Sequence, residues 1–444
     1  MNAAADPHGH LTWFRNASPY IAAHRGCTFV LAFGGEATAE TAFPGLIHDI
    51  ALLARLGIRL VVIHGARPQI DARLQAEGLE STYHAGLRVT STAALPLVCE
   101  ATGRVRQEIE AMLSAGLPNT PMAGAGIRVV GGNFVTARPW GVHDGVDYQH
   151  TGLVRRVDTA GAAAALDQGN IILQSSLGVS PTGEIFNLHA EDVATRMAVA
   201  LHADKLLFLM DHEGVRGADG TLIRELDPQA AEAWLAADGR DDIEAARHLN
   251  SAVTAVRRGV RRAHLIARSD GALLAELFTR DGAGTMLTAE VYEGQRTARI
   301  DDISGILELI EPLESEGTLV RRSREQLELE ADHFTVIERD GAIIACAALY
   351  PLPDGISGEI ACVAVHPEYR NTGRGRQLLD ALEQRARARG LQHLFLLSTQ
   401  TMHWFRERSF EPGDVADLPA ERQALYNWQR NSKVFVKTLG DGTK

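Results

Sequence analysis

The sequence predicts an α/β protein, a mainly parallel αβα sandwich followed by a smaller α+β domain, and three observations carry that reading. Short apolar runs such as TFVLAF, LVVI and KLLFLM recur along the first part of the chain, closed by glycine or aspartate and separated by helical patterns. Strands covered by helices on both faces read this way. Further on, residues 358 to 382 (GEIACVAVHPEYRNTGRGRQLLDAL) pass from an alternating strand through a glycine loop into an amphipathic helix. Finally, 444 residues exceed one ordinary domain, so two or three are expected.

Composition narrows the class. Hydrophobic residues at 45% and charged residues at 23% suit a globular protein with real cores. A net charge of −12 argues against a nucleic-acid-binding surface. The four cysteines, Cys27, Cys99, Cys346 and Cys362, show no C-x-x-C spacing, so neither a disulfide framework nor a zinc site is indicated, and no metal is expected. With no signal peptide and no run of 18 apolar residues, the expectation is a cytoplasmic protein without a membrane partner.

Taken in order, Leu11, Phe14, Ile21 and Ala22 have near-helical spacing, interrupted at Pro19, and make residues 1–25 a helical arm. A strand at 28–33 ends in Gly34-Gly35, a helix follows through Leu46, Ile50, Leu53 and Leu56, and a second strand at 60–63 closes at Gly65. Strands are expected again at 170–173, 205–210 and 262–266, with a helix at 191–201 and a helix-rich stretch at 227–260. The arm and this region, 26–288, give way to a linker at 289–297 and a second domain at 298–444. The second domain opens with a strand at 298–300 and an amphipathic helix at 303–313, then a hairpin of strands 334–338 and 342–349 across Asp340-Gly341. In the strand that enters the glycine loop, Glu359, Ala361, Val363 and Val365 alternate with Ile360, Cys362 and Ala364, and a further strand follows at 392–398.

The loop Arg370-Asn371-Thr372-Gly373-Arg374-Gly375 is a seat for phosphate, because glycines leave the first helical N–H groups uncovered and arginines add charge. The string V-A-V-H-P-E-Y-R-N-T-G-R-G resembles the coenzyme-A-binding core of the GNAT acetyltransferase superfamily, over roughly the last 150 residues. This resemblance implies acetyl-CoA as cosubstrate, held by Cys362, Val363, Ala364, Val365, Arg370, Gly373, Arg374 and Gly375. It also implies Glu359 as the base that deprotonates the amine, on the same face as Val363, whose backbone N–H would meet the oxyanion. Ser398, or alternatively Tyr426, would supply the departing thiolate with a proton.

Six ordered strings in the first domain, F-G-G-E (33–36), V-I-H-G (62–65), G-L-R-V-T (86–90), N-L-H-A-E-D (187–192), K-L-L-F-L-M-D (205–211) and A-L-L-A-E-L-F-T-R-D-G-A-G-T (272–285), resemble the amino-acid kinase family and its acetylglutamate kinase branch. Phosphoryl transfer needs fixed cations. The resemblance calls for a lysine two positions before Gly34-Gly35 and another between 240 and 262; the first position is Ala32, and the only lysines are Lys205, Lys433, Lys437 and Lys444. Arg257 and Arg258 are the nearest electrostatic substitutes. The domain therefore reads as catalytically inactive and regulatory.

A kinase-like domain joined to a GNAT-type domain resembles the N-acetylglutamate synthase family. What the resemblance implies is acetyl transfer to the α-amino group of L-glutamate, the first step of arginine biosynthesis. The acceptor's carboxylates would meet Arg322, Arg422, Arg430 and Ser432. It further implies feedback inhibition by L-arginine at Tyr20, Glu276, Gly282 and Gly284, and a homo-oligomer, hexameric in the family. Two other readings stay open on sequence: an acetylglutamate kinase with an accessory domain, and a non-enzymatic arginine sensor.

Overall fold

The computed structural model describes residues 7–115, 124, 126–237, 242–289, 293–339, 341–370, 373–399, 402–424, 426–427 and 432–439. The chain divides into two compact units, Met1–Glu290 and Val291–Lys444. Among the described residues, no helix is long and apolar enough to cross a membrane.

The first unit is built on an eight-stranded sheet. Its centre runs Arg262–Ala267, Lys205–Met210, Thr28–Phe33, Arg59–His64 and Ile171–Ser175, all parallel, with the antiparallel Thr285–Thr288 beyond Arg262–Ala267. Both faces are covered, which explains the unbroken apolar runs. Val30, Ala32, Val61, Ile63, Leu206 and Phe208 pack against helices Ala190–Ala200 and Ile243–Arg257, while Phe29, Leu31, Phe33, Leu60 and Val62 pack against Phe43–Arg55 and Leu95–Ala115. The strands start and stop within a few residues of the expected positions.

Pro19 does not interrupt the arm: one helix spans Pro7–His24. Proline removes a single N–H donor, and the burial of Ala17 and His24 against the unit offsets that loss. Leu11, Trp13 and Phe14, at 54%, 51% and 57% exposure, stand clear of the unit.

The second unit is a seven-stranded sheet in the order Glu293–Thr297, Phe334–Arg339, Ala342–Pro351, Ser357–Val365, His393–Ser398, Lys433–Thr438, Glu411–Gly413. All neighbours are antiparallel except Ser357–Val365 with His393–Ser398. Helix Ile303–Ser315 covers one face and Arg374–Ala388 the other. The opening strand is Glu293–Thr297, inside the stretch expected as linker, whereas 300–302 forms a short 3-10 turn. Asp301 and Asp302 favour that helix-entry turn over a strand. Of the expected Asp340-Gly341 hairpin turn, Asp340 lies outside the described residues; Gly341 has φ +78°, which glycine alone adopts at no steric cost.

Candidate active site

The site in the second unit begins with a fault in a strand. Ser357–Val365 pairs with Ala342–Pro351, but between Cys346 and Ala348 the register slips by one residue, and Cys362 takes φ +53°. This is a β-bulge, and it turns every later side chain over. Ile360 therefore packs on the same side as Val363 and Val365, while Cys362 and Ala364 fill the other core. The expectation that Glu359 and Val363 share a face is overturned; Glu359 shares its face with Cys362 and Ala364.

The bulge also opens the sheet. Ser357–Val365 stays in register with His393–Ser398 for four pairs, ending at Ile360 with Leu396. Past that point Cys362 to Val365 on one strand, and Leu397 and Ser398 on the other, run on without a shared ladder. Backbone groups along a parted edge can pair with an extended ligand that carries amides. Val363, named as oxyanion donor, sits on this edge, as do the other three strand residues assigned to the coenzyme.

The glycine loop lies at the strand's end. Gly373 has φ +86° and caps the fifteen-residue helix Arg374–Ala388, and a Cβ placed there would meet nothing within 4 Å. No side chain is needed or packed at this capping position, and the first N–H groups of the helix have no partner within the helix itself. Arg370 donates from Nε to the Val365 carbonyl at 3.2 Å, and the Arg374 guanidinium stacks 4.9 Å above the Tyr369 ring. Gly375 serves packing instead, because a Cβ there would lie 3.0 Å from Trp404. Asn371 and Thr372 lie outside the described residues.

Glu359, expected as the base, and Arg422, expected to grip the acceptor's carboxylates, are instead brought together, so that Arg422 turns its fork to Glu359. Arg422 donates from Nε and an η nitrogen to the two carboxylate oxygens of Glu359, at 2.7 and 3.0 Å. Arg322 lies in the loop before helix Arg324–Leu329, beside a cleft of about 790 Å³ also lined by Glu311, Glu314 and Arg321. Ser398 ends its strand opposite Lys433. Tyr426 is buried, and its hydroxyl donates to the carbonyl of Ser432 at 2.6 Å. Arg430 lies outside the described residues.

The regulatory candidates of the first unit also meet. Glu276 is buried; its Oε1 is 2.5 Å from His264 Nδ1, and its Oε2 accepts the N–H groups of Ala283 at 2.5 Å and Gly284 at 2.8 Å. Burial opposes the charge, yet these donors bring the Glu276 pKa down to about 2. Gly282, at φ +63°, passes so close that a Cβ would lie 2.4 Å from Oε2. Tyr20 packs beside His24, whose Nε2 lies 2.8 Å from the Leu277 carbonyl. Two members of the cluster were missed. Lys205 and His264, both buried, stand 3.4 Å apart behind Glu276. The only signal was a charged side chain at the head of an otherwise apolar strand, LLFLM.

A cavity of about 280 Å³ opens at the carboxyl ends of the parallel strands, lined by Gly34, Gly35, Gly65, Arg67, Arg88 and Arg247 among others. Kinase-like sites occupy such a place, and here several nearby cations are matched by carboxylates, while Arg67 lies over the Tyr83 ring, 4.6 Å from its centroid. Arg247 pairs with Glu191 at 3.1 Å, Arg88 with Asp71 at 2.8 Å, and the buried Arg268 pairs with Glu40, Asp211 and Glu244. Burial works against the Glu191 charge, but His189, His248 and Arg247 hold its carboxyl well below the usual range. Arg257 and Arg258 do not line the cavity: they sit at the far end of their helix, with Arg257 paired to Glu232 at 2.8 Å. Among the described residues, no group of three His, Cys, Asp or Glu is arranged to hold a metal ion.

Comparison with known proteins agrees with this division. The model of the amino acid kinase family matches residues 28–267, and that of the acetyltransferase (GNAT) family matches residues 303–410. An amino-acid acetyltransferase of Azotobacter vinelandii is 55% identical over 431 residues, 97% of this chain and 99% of the relative. One from Pseudomonas fluorescens is 54% identical over the same shares. Among solved structures, N-acetylglutamate synthase from Neisseria gonorrhoeae complexed with coenzyme A and L-arginine is 39% identical with a TM-score of 0.86, covering 97% of this chain and 99% of that one. The same protein complexed with coenzyme A and N-acetyl-glutamate is 40% identical with a TM-score of 0.61 and the same coverage. An amino acid kinase family region followed by a GNAT family region, with amino-acid acetyltransferases matching nearly the whole chain, places this chain in the amino-acid acetyltransferase family.

Proposed function

We propose that the chain transfers the acetyl group of acetyl-CoA to the α-amino group of L-glutamate, giving N-acetyl-L-glutamate and CoA, at the start of arginine synthesis. The observation that carries this reading is the parted strand pair, with the glycine loop at its end and the Glu359–Arg422 pair beside it. The parted edge and the open space at Gly373 fit a coenzyme with an amide-bearing arm and a pyrophosphate: Cys362 to Val365 would hold the arm, and Gly373 with Arg370 and Arg374 the phosphates. The thioester supplies an activated acetyl group.

This chain's residues do the rest. Glu359 takes the proton of the acceptor ammonium through a water, and Arg422 keeps its carboxylate in one orientation. The amine then forms the C–N bond as the C–S bond breaks. The Val363 N–H stabilises charge on the carbonyl oxygen, and Ser398 gives the departing sulfur a hydrogen bond. Arg322, with Arg430 and Ser432 as further partners, grips the carboxylates of the acceptor. The test is thiol release from acetyl-CoA over a panel of amino acids; release with other amines and never with L-glutamate would sink the assignment.

The same proposal includes inhibition by L-arginine at the Tyr20, Glu276, Gly282 and Gly284 cluster. The relative crystallised with L-arginine and a buried carboxylate facing a glycine turn support it. Equal turnover with and without millimolar arginine would remove it. It also includes a cytoplasmic homo-oligomer, a hexamer as the resemblance implies. The exposed Leu11, Trp13 and Phe14 support association, and the mass in solution tests it.

A further inference from the structure

Helix Ile303–Ser315 ends against local preference. Its last turn carries Glu314 and no basic residue, although the unpaired carbonyl groups of a helix C-terminus favour positive charge. A carboxylate so placed needs another reason, and the loop that follows supplies one. The chain turns sharply at Gly317, at φ +74°, whose N–H donates to the Glu314 carbonyl at 3.1 Å, while those of Thr318 and Leu319 donate to the Leu313 carbonyl at 2.8 and 3.0 Å. It then doubles back. Eight residues beyond Glu314, the Arg322 N–H donates to Glu314 Oε1 at 3.0 Å.

This bond decides where the Arg322 side chain starts. On its other side the Ser323 hydroxyl accepts the Gln326 N–H at 3.2 Å and caps helix Arg324–Leu329, so the backbone of Arg322 runs between two pinned points. Glu314 is bonded to that backbone and not to the guanidinium, which donates to the Val320 carbonyl at 3.1 Å. Both residues line the cleft of about 790 Å³, with Glu311 and Arg321. A long side chain pays rotamer entropy whenever a ligand orders it, and a wandering backbone would add to that cost. A loop fixed beforehand removes the second part.

We propose that Glu314 is a positioning residue: it fixes the loop that carries Arg322 and so holds that guanidinium at the cleft for a carboxylate of the acceptor amino acid. The proposal rests on the reading of that acceptor as an amino dicarboxylate gripped by Arg322. It assigns Glu314 to acceptor affinity and to no step of the bond exchange.

The test is steady-state kinetics of the full chain, with L-glutamate and acetyl-CoA varied separately. Glu314→Ala should raise the KM for L-glutamate about tenfold, leaving kcat and the KM for acetyl-CoA within about twofold. Glu314→Gln, whose amide oxygen can still accept the Arg322 N–H, should recover most of the loss. Because Glu314 acts through Arg322, adding Glu314→Ala to Arg322→Ala should cost no more than about twofold further. An unchanged KM for L-glutamate in Glu314→Ala, equal losses in the Ala and Gln variants, a fall in kcat alone, or additive losses in the double variant would each overturn the proposal. Should the Ala variant fail to fold, Glu314→Asp, one methylene short of the bond, should show the same rise in KM, and an unchanged value there overturns the proposal as well. Wild-type inactivity toward L-glutamate, or a KM that ignores Arg322→Ala, overturns the acceptor reading and this proposal together. The proposal's own failure differs: the wild type is active and Arg322→Ala alone raises the KM.

Discussion

Each unit ends a parallel-paired strand in a glycine turn, yet the two turns are put to different use. In the first, Gly35 is pressed against the protein itself: a Cβ there would lie 2.3 Å from Gln69 and 2.8 Å from the Ala66 Cα, and one on Gly34 would lie 2.0 Å from the Glu36 carboxylate. Arg88, Arg247 and Arg268 near that turn have carboxylates of their own, Arg67 lies over the Tyr83 ring, and Ala32 stands where the resemblance calls for a lysine. In the second, Gly373 faces unfilled space at the start of a fifteen-residue helix, with Arg374 stacked on Tyr369 beside it. The difference teaches that glycine spacing alone does not make a phosphate seat: one glycine turn is packed against its own protein, and the other leaves its glycine uncovered.

Four experiments bear on that contrast. The largest effect should come from Glu359→Gln, which keeps the shape of the site but removes the base: turnover should fall by about 10² to 10⁴, with coenzyme affinity little changed. Unaltered turnover would take the chemistry away from the second unit's parted strands.

Acid should act on the first unit. Burial brings the His24 and His64 pKa values down to about 4, with Lys205 adding to the effect at His24 and Arg106 at His64. Both therefore lie below the unfolded value near 6.5. Their stabilisation is complete above pH 6.5 and is lost as pH falls toward 4, at up to about 3 kcal/mol each. A thermal unfolding midpoint for the first unit that stays flat between pH 6.5 and 4 would contradict this.

A smaller loss is expected on coenzyme binding. Gly373→Ala forces an L residue into a left-handed conformation at a cost of roughly 1–2 kcal/mol, so the KM for acetyl-CoA should rise about tenfold. The equivalent exchange at Gly35 should disturb folding through Gln69 and Ala66 and leave coenzyme affinity alone. The smallest effect tests the first unit's turn: Ala32→Lys should produce no ATP consumption with N-acetylglutamate, because the second expected lysine is still missing and Arg88 and Arg247 remain paired. Measurable phosphate transfer in that variant would break the comparison.

Much of the architecture could be read directly. Runs such as TFVLAF and KLLFLM read as strands because residues on both sides of the sheet must be apolar when helices cover both faces. The glycine loop stood out between a strand and a helix, whereas Glu359 and the missing lysines became readable through the family resemblance. The bulge was not, because a one-residue slip at Cys362 leaves the apolar and polar order looking like a regular strand. The bond from Arg322 to Glu314 was equally silent, since the loop must fold back over eight residues before the two meet.

The sequence by itself determined most of the segments that become strands and helices, the glycine loop proposed as the coenzyme's seat, and the absence of lysines where the resemblance calls for them, because these follow from local pattern and residue identity. Only the tertiary structure decided which face Glu359 occupies, that Arg422 is its partner, and that Glu276 is enclosed by Lys205, His264 and a glycine turn. Register and ion pairing depend on residues far apart in the chain, and a pattern of neighbours carries no record of them.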